Sequence, residues 1–230
     1  MEYLREKGYT ILDDIFSPKE VALIIDQISL IDSSKPNFRR TSDLFAIRQF
    51  LKEVPKIQSL IFTTKLNAVI KEYFGPNYFT IKSIYFDKPE KSNWFVAWHQ
   101  DLTISVDKKI NLPGFGPWTV KQDQFAVQPP LDILEDIFTI RIHLDDTDEN
   151  NGALKVIPGS HLGGIQRPTA LRRKPEEEAI CKVKTGGIMI MRPLLLHSSS
   201  RTINNHKRRV IHIEFCSRLL PGGLNWSEGF

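Results

Sequence analysis

Two stretches of the chain alternate strictly between apolar and polar residues, and the polar side of each carries unusual chemistry. Over residues 136–145, Phe138, Ile140, Ile142 and Leu144 share one parity, and Thr139, Arg141, His143 and Asp145 share the other. Over residues 207–217, Ile211, Ile213 and Phe215 oppose Arg208, Val210, His212 and Glu214. A period of two marks a strand with two different faces. An antiparallel sheet with one face in water explains charges on the polar side, but it does not call for a histidine on each strand. The pattern favours strands that line a polar barrel mouth.

The surrounding chain fits a mainly β protein with helices at its start. Its 230 residues, 41% of them apolar, suffice for one core, so one domain over residues 1–230 is expected. Fourteen Phe and fourteen Pro suggest many turns and much strand. Ser17-Pro18-Lys19-Glu20 supplies a cap, a proline at the first helical position and a capping-box glutamate. The helix that follows should bury Val21, Ile24, Ile25, Ile28 and Leu30 or Ile31. A second short helix is expected from Ser42 or Asp43 to about Glu53, after a loop over residues 35–40. A third should run from Pro55 to a stop at Gly75.

Strands are expected over residues 79–86, in the run reaching Trp98-His99, and over residues 102–106, 153–157, 179–184 and 187–191. Asn151-Gly152 reads as a hairpin turn. Residues 111–130 read as a long irregular loop, and its aromatics Phe115, Trp118 and Phe125 suggest a lid. The charged residues 171–178 read as solvated loop.

The net charge of +4 is modest and the basic residues are interleaved with acidic ones, so no nucleic-acid footprint is expected. Cys181 and Cys216 lie in apolar runs and read as reduced thiols of a cytoplasmic protein. The charged start has no apolar secretory core. No apolar run approaches the ~20 residues of a membrane span. Oligomeric state is not written in any of these features.

Trp98-His99-Gln100-Asp101 places an imidazole and a carboxylate two residues apart, on the same side of an extended backbone. A second histidine, His197, follows the run Arg192-Pro193-Leu194-Leu195-Leu196. Two histidines and one carboxylate on one face of a metal form the triad of non-haem Fe(II) oxygenases, which leaves coordination positions open.

In order, the chain presents Trp98-His99-Gln100-Asp101, Pro158-Gly159-Ser160-His161, His197-Ser198-Ser199 and, eleven residues after His197, Arg208. This succession resembles the phytanoyl-CoA dioxygenase family of Fe(II)- and 2-oxoglutarate-dependent oxygenases, over about residues 8–215. The resemblance implies a double-stranded β-helix (a cupin-like jelly roll) with the N-terminal helices packed on one sheet. It implies Fe(II) held by His99, Asp101 and His197, with 2-oxoglutarate and O2 as cosubstrates. Arg208 would bind the distal carboxylate of 2-oxoglutarate, with Gln100, Ser199 and, by a looser match, Trp118 beside the cosubstrate.

Arginine suits the distal-carboxylate role because its planar fork stays charged when enclosed. His161 would be architectural. Asp101 speaks for oxygenation, since related halogenases lack that carboxylate. The expected reaction is hydroxylation of an unactivated C–H of a small organic substrate, releasing succinate and CO2. The alternatives are desaturation or epimerisation by the same class, or a metal-binding cupin-type jelly roll that does not use 2-oxoglutarate. Arg141 and Thr139 are candidate substrate-binding residues, with Lys88 and residues 111–130 as further substrate-side candidates; alternatively Arg141 pairs with Asp145.

Overall fold

The computed structural model describes all residues except 32–37, 41–44, 91–93, 122–123, 167–176 and 230. The expected cap at Ser42 or Asp43, part of the loop over residues 35–40 and most of the charged run 171–178 lie outside the described residues. Six helices are described: α1 Glu2–Lys7, α2 Pro18–Ser29, α3 Phe50–Glu53, α4 Gln58–Ile61, α5 Thr64–Phe74 and α6 Leu131–Asp136.

The largest sheet has seven strands. Their order is β1 (Tyr9–Leu12), β12 (Ile188–Met191), β9 (Phe138–His143), β14 (Arg208–Cys216), β4 (Phe79–Lys88), β3 (Phe45–Arg48) and β2 (Phe38–Arg40). A second sheet runs β11 (Ala179–Cys181), β10 (Leu154–Val156), β13 (His197–Ser199) and β5 (Val96–His99). The third consists of β6 (Ile104–Val106), β8 (Gln124–Val127) and β7 (Trp118–Lys121). From β4 to β5, β9 to β10, β11 to β12, β12 to β13 and β13 to β14, the chain crosses between the two main sheets. That antiparallel crossing pattern is a jelly roll, as the resemblance implies.

The alternation in β9 and β14 fixes which face goes where. Ile140 and Ile142 of β9, with Ile211, Ile213 and Phe215 of β14, pack outward against Ile24, Leu51, Ile61 and Leu66 of the helical layer. Each such side chain contributes roughly 1.5–3 kcal/mol on burial. The opposite face of β9 is also buried, so Thr139, Arg141 and His143 point into the interior and not into water.

The helical layer follows local chemistry with two departures. α2 carries the full capping box: Glu20 N–H donates to Ser17 Oγ at 3.3 Å, and Ser17 N–H donates to the Glu20 carboxylate at 2.7 Å. The expected second helix is only α3, because residues 45–48 form a strand paired between β4 and β2. The expected third helix is broken into a 3-10 turn over Pro55–Ile57, then α4, then α5. Thr63 causes the second break: its hydroxyl accepts from Leu66 N–H and starts a new helix.

Two further expectations are revised. The Asn151-Gly152 turn is the corner at which the chain leaves β9 for β10 in the other sheet, not a hairpin within one sheet. Its form is set by Asp148, whose carboxylate accepts from Asn150 N–H at 2.7 Å and Asn151 N–H at 3.2 Å. Residues 111–130 contain β7 and β8, which join β6 over the cluster of Ile104, Val106, Val127 and Trp226. No helix among the described residues is long and apolar enough to cross a membrane.

Candidate active site

β5 and β13 lie side by side with His99 directly opposite His197, and their ring centroids are 4.2 Å apart. Asp101 follows two residues after His99, and its backbone N–H donates to Pro193 O at 2.9 Å. His99 Nε2 lies 3.7 Å from one Asp101 oxygen and His197 Nε2 lies 3.7 Å from the other. One ligand atom from each residue falls within 4.8 Å of the other two.

Both rings are oriented in the same way. His99 Nδ1 lies 2.8 Å from Ala97 O, and His197 Nδ1 lies 2.8 Å from Leu195 O. A carbonyl only accepts, so each Nδ1 carries the proton and each Nε2 lone pair points at Asp101. Outer-sphere carbonyls fix metal-ligating imidazoles in this manner. Burial lowers His197 to about 4, so it is neutral at pH 7. Burial alone would raise Asp101, but His197, His212, Lys82 and His99 hold its carboxyl well below the usual range. Lone pairs of two imidazoles facing a carboxylate repel one another unless a cation lies between them, so the donor set fits a divalent metal.

Arg208 begins β14 and is 3% exposed. Its NH2 donates to Ser199 Oγ at 3.4 Å, and Ser199 Oγ donates to Gly152 O at 2.9 Å. Arg208 Nε and NH1 are buried without a partner among the described residues. Burial, and then Arg141, lowers its guanidinium to about 9. Buried, unmatched cationic donors are costly, and a carboxylate ligand would satisfy them.

Gln100 is buried, and its amide is engaged by backbone. Its Nε2 donates to Gly164 O at 2.8 Å and to Leu194 O at 2.6 Å, and its Oε1 accepts from Gln166 N–H. It thereby ties the triad to the segment after Pro158-Gly159-Ser160-His161. His161 Nε2 donates to Arg5 O at 3.0 Å, and a Cβ on Gly8 would meet the His161 ring at 2.5 Å. Trp118 lies on β7, partly buried in the apolar cluster beneath the third sheet.

Arg141 NH1 donates to His212 Nδ1 at 3.0 Å, while Arg141 Nε and Thr139 Oγ1 are buried without partners among the described residues. Asp145 does not pair with Arg141. A cavity of about 560 Å³ is lined by Thr103, two residues past Asp101, and by Lys82, Ser105, Gln124, Phe125 and Glu228; no triad residue lines it. Glu228 had no sequence signal: its buried carboxylate accepts from Ser83 N–H at 2.8 Å and from the Ser83 hydroxyl.

A jelly roll whose four-stranded sheet carries a His-Asp-His cluster is the arrangement of the non-haem iron, 2-oxoglutarate-dependent oxygenases, for which O2 is the second cosubstrate. The family model described as phytanoyl-CoA dioxygenase matches residues 4–210, and the chain belongs to that family. It is 28% identical over 178 residues to a probable alpha-ketoglutarate-dependent hypophosphite dioxygenase of Stutzerimonas stutzeri. That match takes in 71% of this chain but 53% of the relative, so it spans about half of that protein.

Among solved structures, the alpha-ketoglutarate-dependent carbocyclase SnoK from nogalamycin biosynthesis superposes with a TM-score of 0.67 at 15% identity, over 99% of this chain and 85% of SnoK. HygX from Streptomyces hygroscopicus, with nickel and 2-oxoglutarate bound, gives a TM-score of 0.64 at 12% identity, over 93% of this chain and 84% of HygX. These two likenesses establish the shared fold.

Proposed function

We propose that residues 1–230 form one Fe(II)- and 2-oxoglutarate-dependent oxygenase domain that hydroxylates a C–H of a small organic molecule, with release of succinate and CO2. The observation that carries this reading is the pairing of the His-Asp-His cluster with Arg208, a buried guanidinium that still has two unmatched nitrogens. His99, Asp101 and His197 hold the metal, whose bound form supplies the O2 chemistry. Arg208 and Ser199 hold the far carboxylate of 2-oxoglutarate. Gln100 fixes the loop beside the metal, and Trp118 walls the side carrying the third sheet.

The 560 Å³ cavity past Asp101 takes the substrate, and its hydroxyl and amide groups (Thr103, Ser105, Gln124) suit a polar one. Arg141 and Thr139 face the interior from β9 and offer unmatched polar atoms to the substrate or to the metal-bound end of the cosubstrate. The reading includes a reducing compartment such as the cytoplasm, in which the buried Cys181 and Cys216 stay thiols.

Anaerobic addition of Fe(II) with and without 2-oxoglutarate tests the class. A weak visible charge-transfer band that needs both, and that is lost in His197→Ala, is the expected result. A folded protein that binds metal but gives no band would be a jelly roll that does not use 2-oxoglutarate. Product mass then decides the outcome of turnover. One added oxygen supports hydroxylation, whereas loss of two hydrogens or an isomer of equal mass supports desaturation or epimerisation.

A further inference from the structure

Lys88 ends β4 and sits directly opposite Arg208 in the antiparallel register with β14. Both side chains are buried, Lys88 at 0% exposure and Arg208 at 3%. Like charges directly opposite each other destabilise a sheet, and a buried charge without a counter-ion costs several-fold more than an exposed one. Among the described residues, no carboxylate bonds to either. The Lys88 ammonium donates to Ser200 O and lies 5.5 Å from the Trp94 ring centroid. An ammonium has three donors, so two remain, beside the unmatched Nε and NH1 of Arg208.

The backbone at Gly152 leaves room for this ammonium and for the carbonyl it bonds. Gly152 has φ +83, and a Cβ there would stand 2.6 Å from Ser200 O, 2.7 Å from Lys88 Nζ and 3.4 Å from Ser199 Oγ. Lys88, Arg208, Ser199 and Gly152 therefore converge on one enclosed spot that is rich in donors and holds no carboxylate among the described residues.

We propose that Lys88 is a second cationic anchor for the distal carboxylate of 2-oxoglutarate, acting with Arg208 and Ser199. The inference rests on the oxygenase reading and moves Lys88 from the substrate side to the cosubstrate end of the site. Two cations on one carboxylate would favour dicarboxylic keto acids over monocarboxylic ones.

The test is calorimetric titration of the Mn(II)-loaded protein with 2-oxoglutarate and with 2-oxovalerate, which has the same keto-acid end and no distal carboxylate. Wild type is compared with Lys88→Met, Lys88→Gln and Arg208→Ala. Loss of one charge-assisted bond should weaken 2-oxoglutarate about tenfold or more in both Lys88 variants. Binding of 2-oxovalerate should change by less than about twofold. The Lys88 variants without cosubstrate should melt no lower than wild type, since a buried repulsion is removed with the bond to Ser200. Equal losses for both acids, or unchanged 2-oxoglutarate affinity with a lower melting temperature, would make Lys88 a structural residue and overturn the proposal. If Arg208→Ala loses 2-oxoglutarate and neither Lys88 variant does, the proposal alone fails. If wild type binds Mn(II) and no 2-oxoglutarate, the oxygenase reading fails with it.

Discussion

Asp145 is bonded to Arg209 and not to Arg141, although Arg141 lies only four residues before it. Arg209 NH2 donates to Asp145 Oδ1 at 2.6 Å, and its Nε and backbone N–H donate to Oδ2 at 2.9 and 2.8 Å. Arg209 is on the outward parity of β14, so this pair closes the outer edge and leaves Arg141 to the interior. There Arg141 NH1 meets His212 Nδ1, His212 Nε2 meets Glu214 Oε1 at 3.0 Å, and Lys82 Nζ meets the same oxygen at 2.7 Å. A guanidinium only donates, so His212 accepts at Nδ1 and donates from Nε2 to Glu214.

Asp145→Asn should therefore cost stability without touching cosubstrate binding. The variant loses charge-assisted bonds at a mostly buried edge, about 1–3 kcal/mol. Urea unfolding measures the loss, and titration should find 2-oxoglutarate affinity unchanged. A fall in affinity with unchanged stability would place Asp145 inside the anchoring network.

The Lys82–Glu214 pair should be more sensitive. Glu214 is 4% exposed at its side chain and Lys82 20%. Burial alone would raise Glu214, yet Lys82 and His212 hold its carboxyl below the usual range. Glu214→Gln strands Lys82 as an uncompensated charge, at a cost of about 3–5 kcal/mol. Adding Lys82→Met removes that charge, and the double variant should recover much of the loss. A double variant as unstable as the sum of its parts would show that the two groups act independently.

What could be read in the sequence was what repeats or what chemistry spaces. The parity of β9 and β14 placed Arg141, His143, Arg208 and His212 on an interior face, because register admits no half-steps. Ser17 and Glu20 announced α2 because their bonds are local. The strand β3 was not legible, since residues 45–48 become a strand by pairing with β2 and with β4, whose partner residues lie nearly forty positions away. Gln100 illustrates the same limit at the site: its type fits a cosubstrate contact, but its three amide partners come from two distant loops. Glu228 meets Ser83 across 145 positions, and no local pattern encodes that.

Acid should weaken the cosubstrate-free protein through His143. This imidazole is buried, with Nδ1 2.8 Å from Thr147 Oγ1 and Nε2 unmatched. Burial, and then Arg141 and Arg208, lowers it well below its ordinary value. Its folded pKa is depressed, so the unfolded chain binds the extra proton below about pH 6.5, and stability falls as pH falls through that value. Melting temperatures between pH 7 and 5 should decline, and His143→Gln should flatten the slope. A parallel slope in the variant would assign the effect to the other buried imidazoles.

Loss of one ligand should separate the metal from the fold. His197→Ala removes an imidazole held by Leu195 O and leaves Asp101 facing one histidine. Metal content after reconstitution with Fe(II) should drop from about one equivalent to a small fraction of it. The cosubstrate-free melting temperature should move by only a few degrees, because the metal-free site already carries unmatched lone pairs. Full metal occupancy in the variant would remove His197 from the ligand set.

Binding of 2-oxoglutarate should take up a proton above neutral pH. Burial, and then Arg208, lowers Lys88 to about 7. Among the described residues that face it, Arg208 is the charged one; Ser200 offers a carbonyl and Trp94 a ring. At pH 8 most of the cosubstrate-free protein therefore holds a neutral amine at Lys88, and a carboxylate beside it restores the ammonium. Uptake should approach about one proton per cosubstrate at pH 8, seen as a dependence of the calorimetric heat on the buffer's ionisation enthalpy. Affinity should fall as pH rises from 7 to 9, by up to about tenfold per unit. The same depressed pKa means that the unfolded chain holds the extra proton between pH 7 and 10, so the cosubstrate-free protein gains stability over that range. Lys88→Met should abolish both the proton uptake and the slope in affinity. If wild type took up no proton and kept a flat affinity, Lys88 would be charged before the cosubstrate arrives, and its carboxylate contact would need no change of protonation.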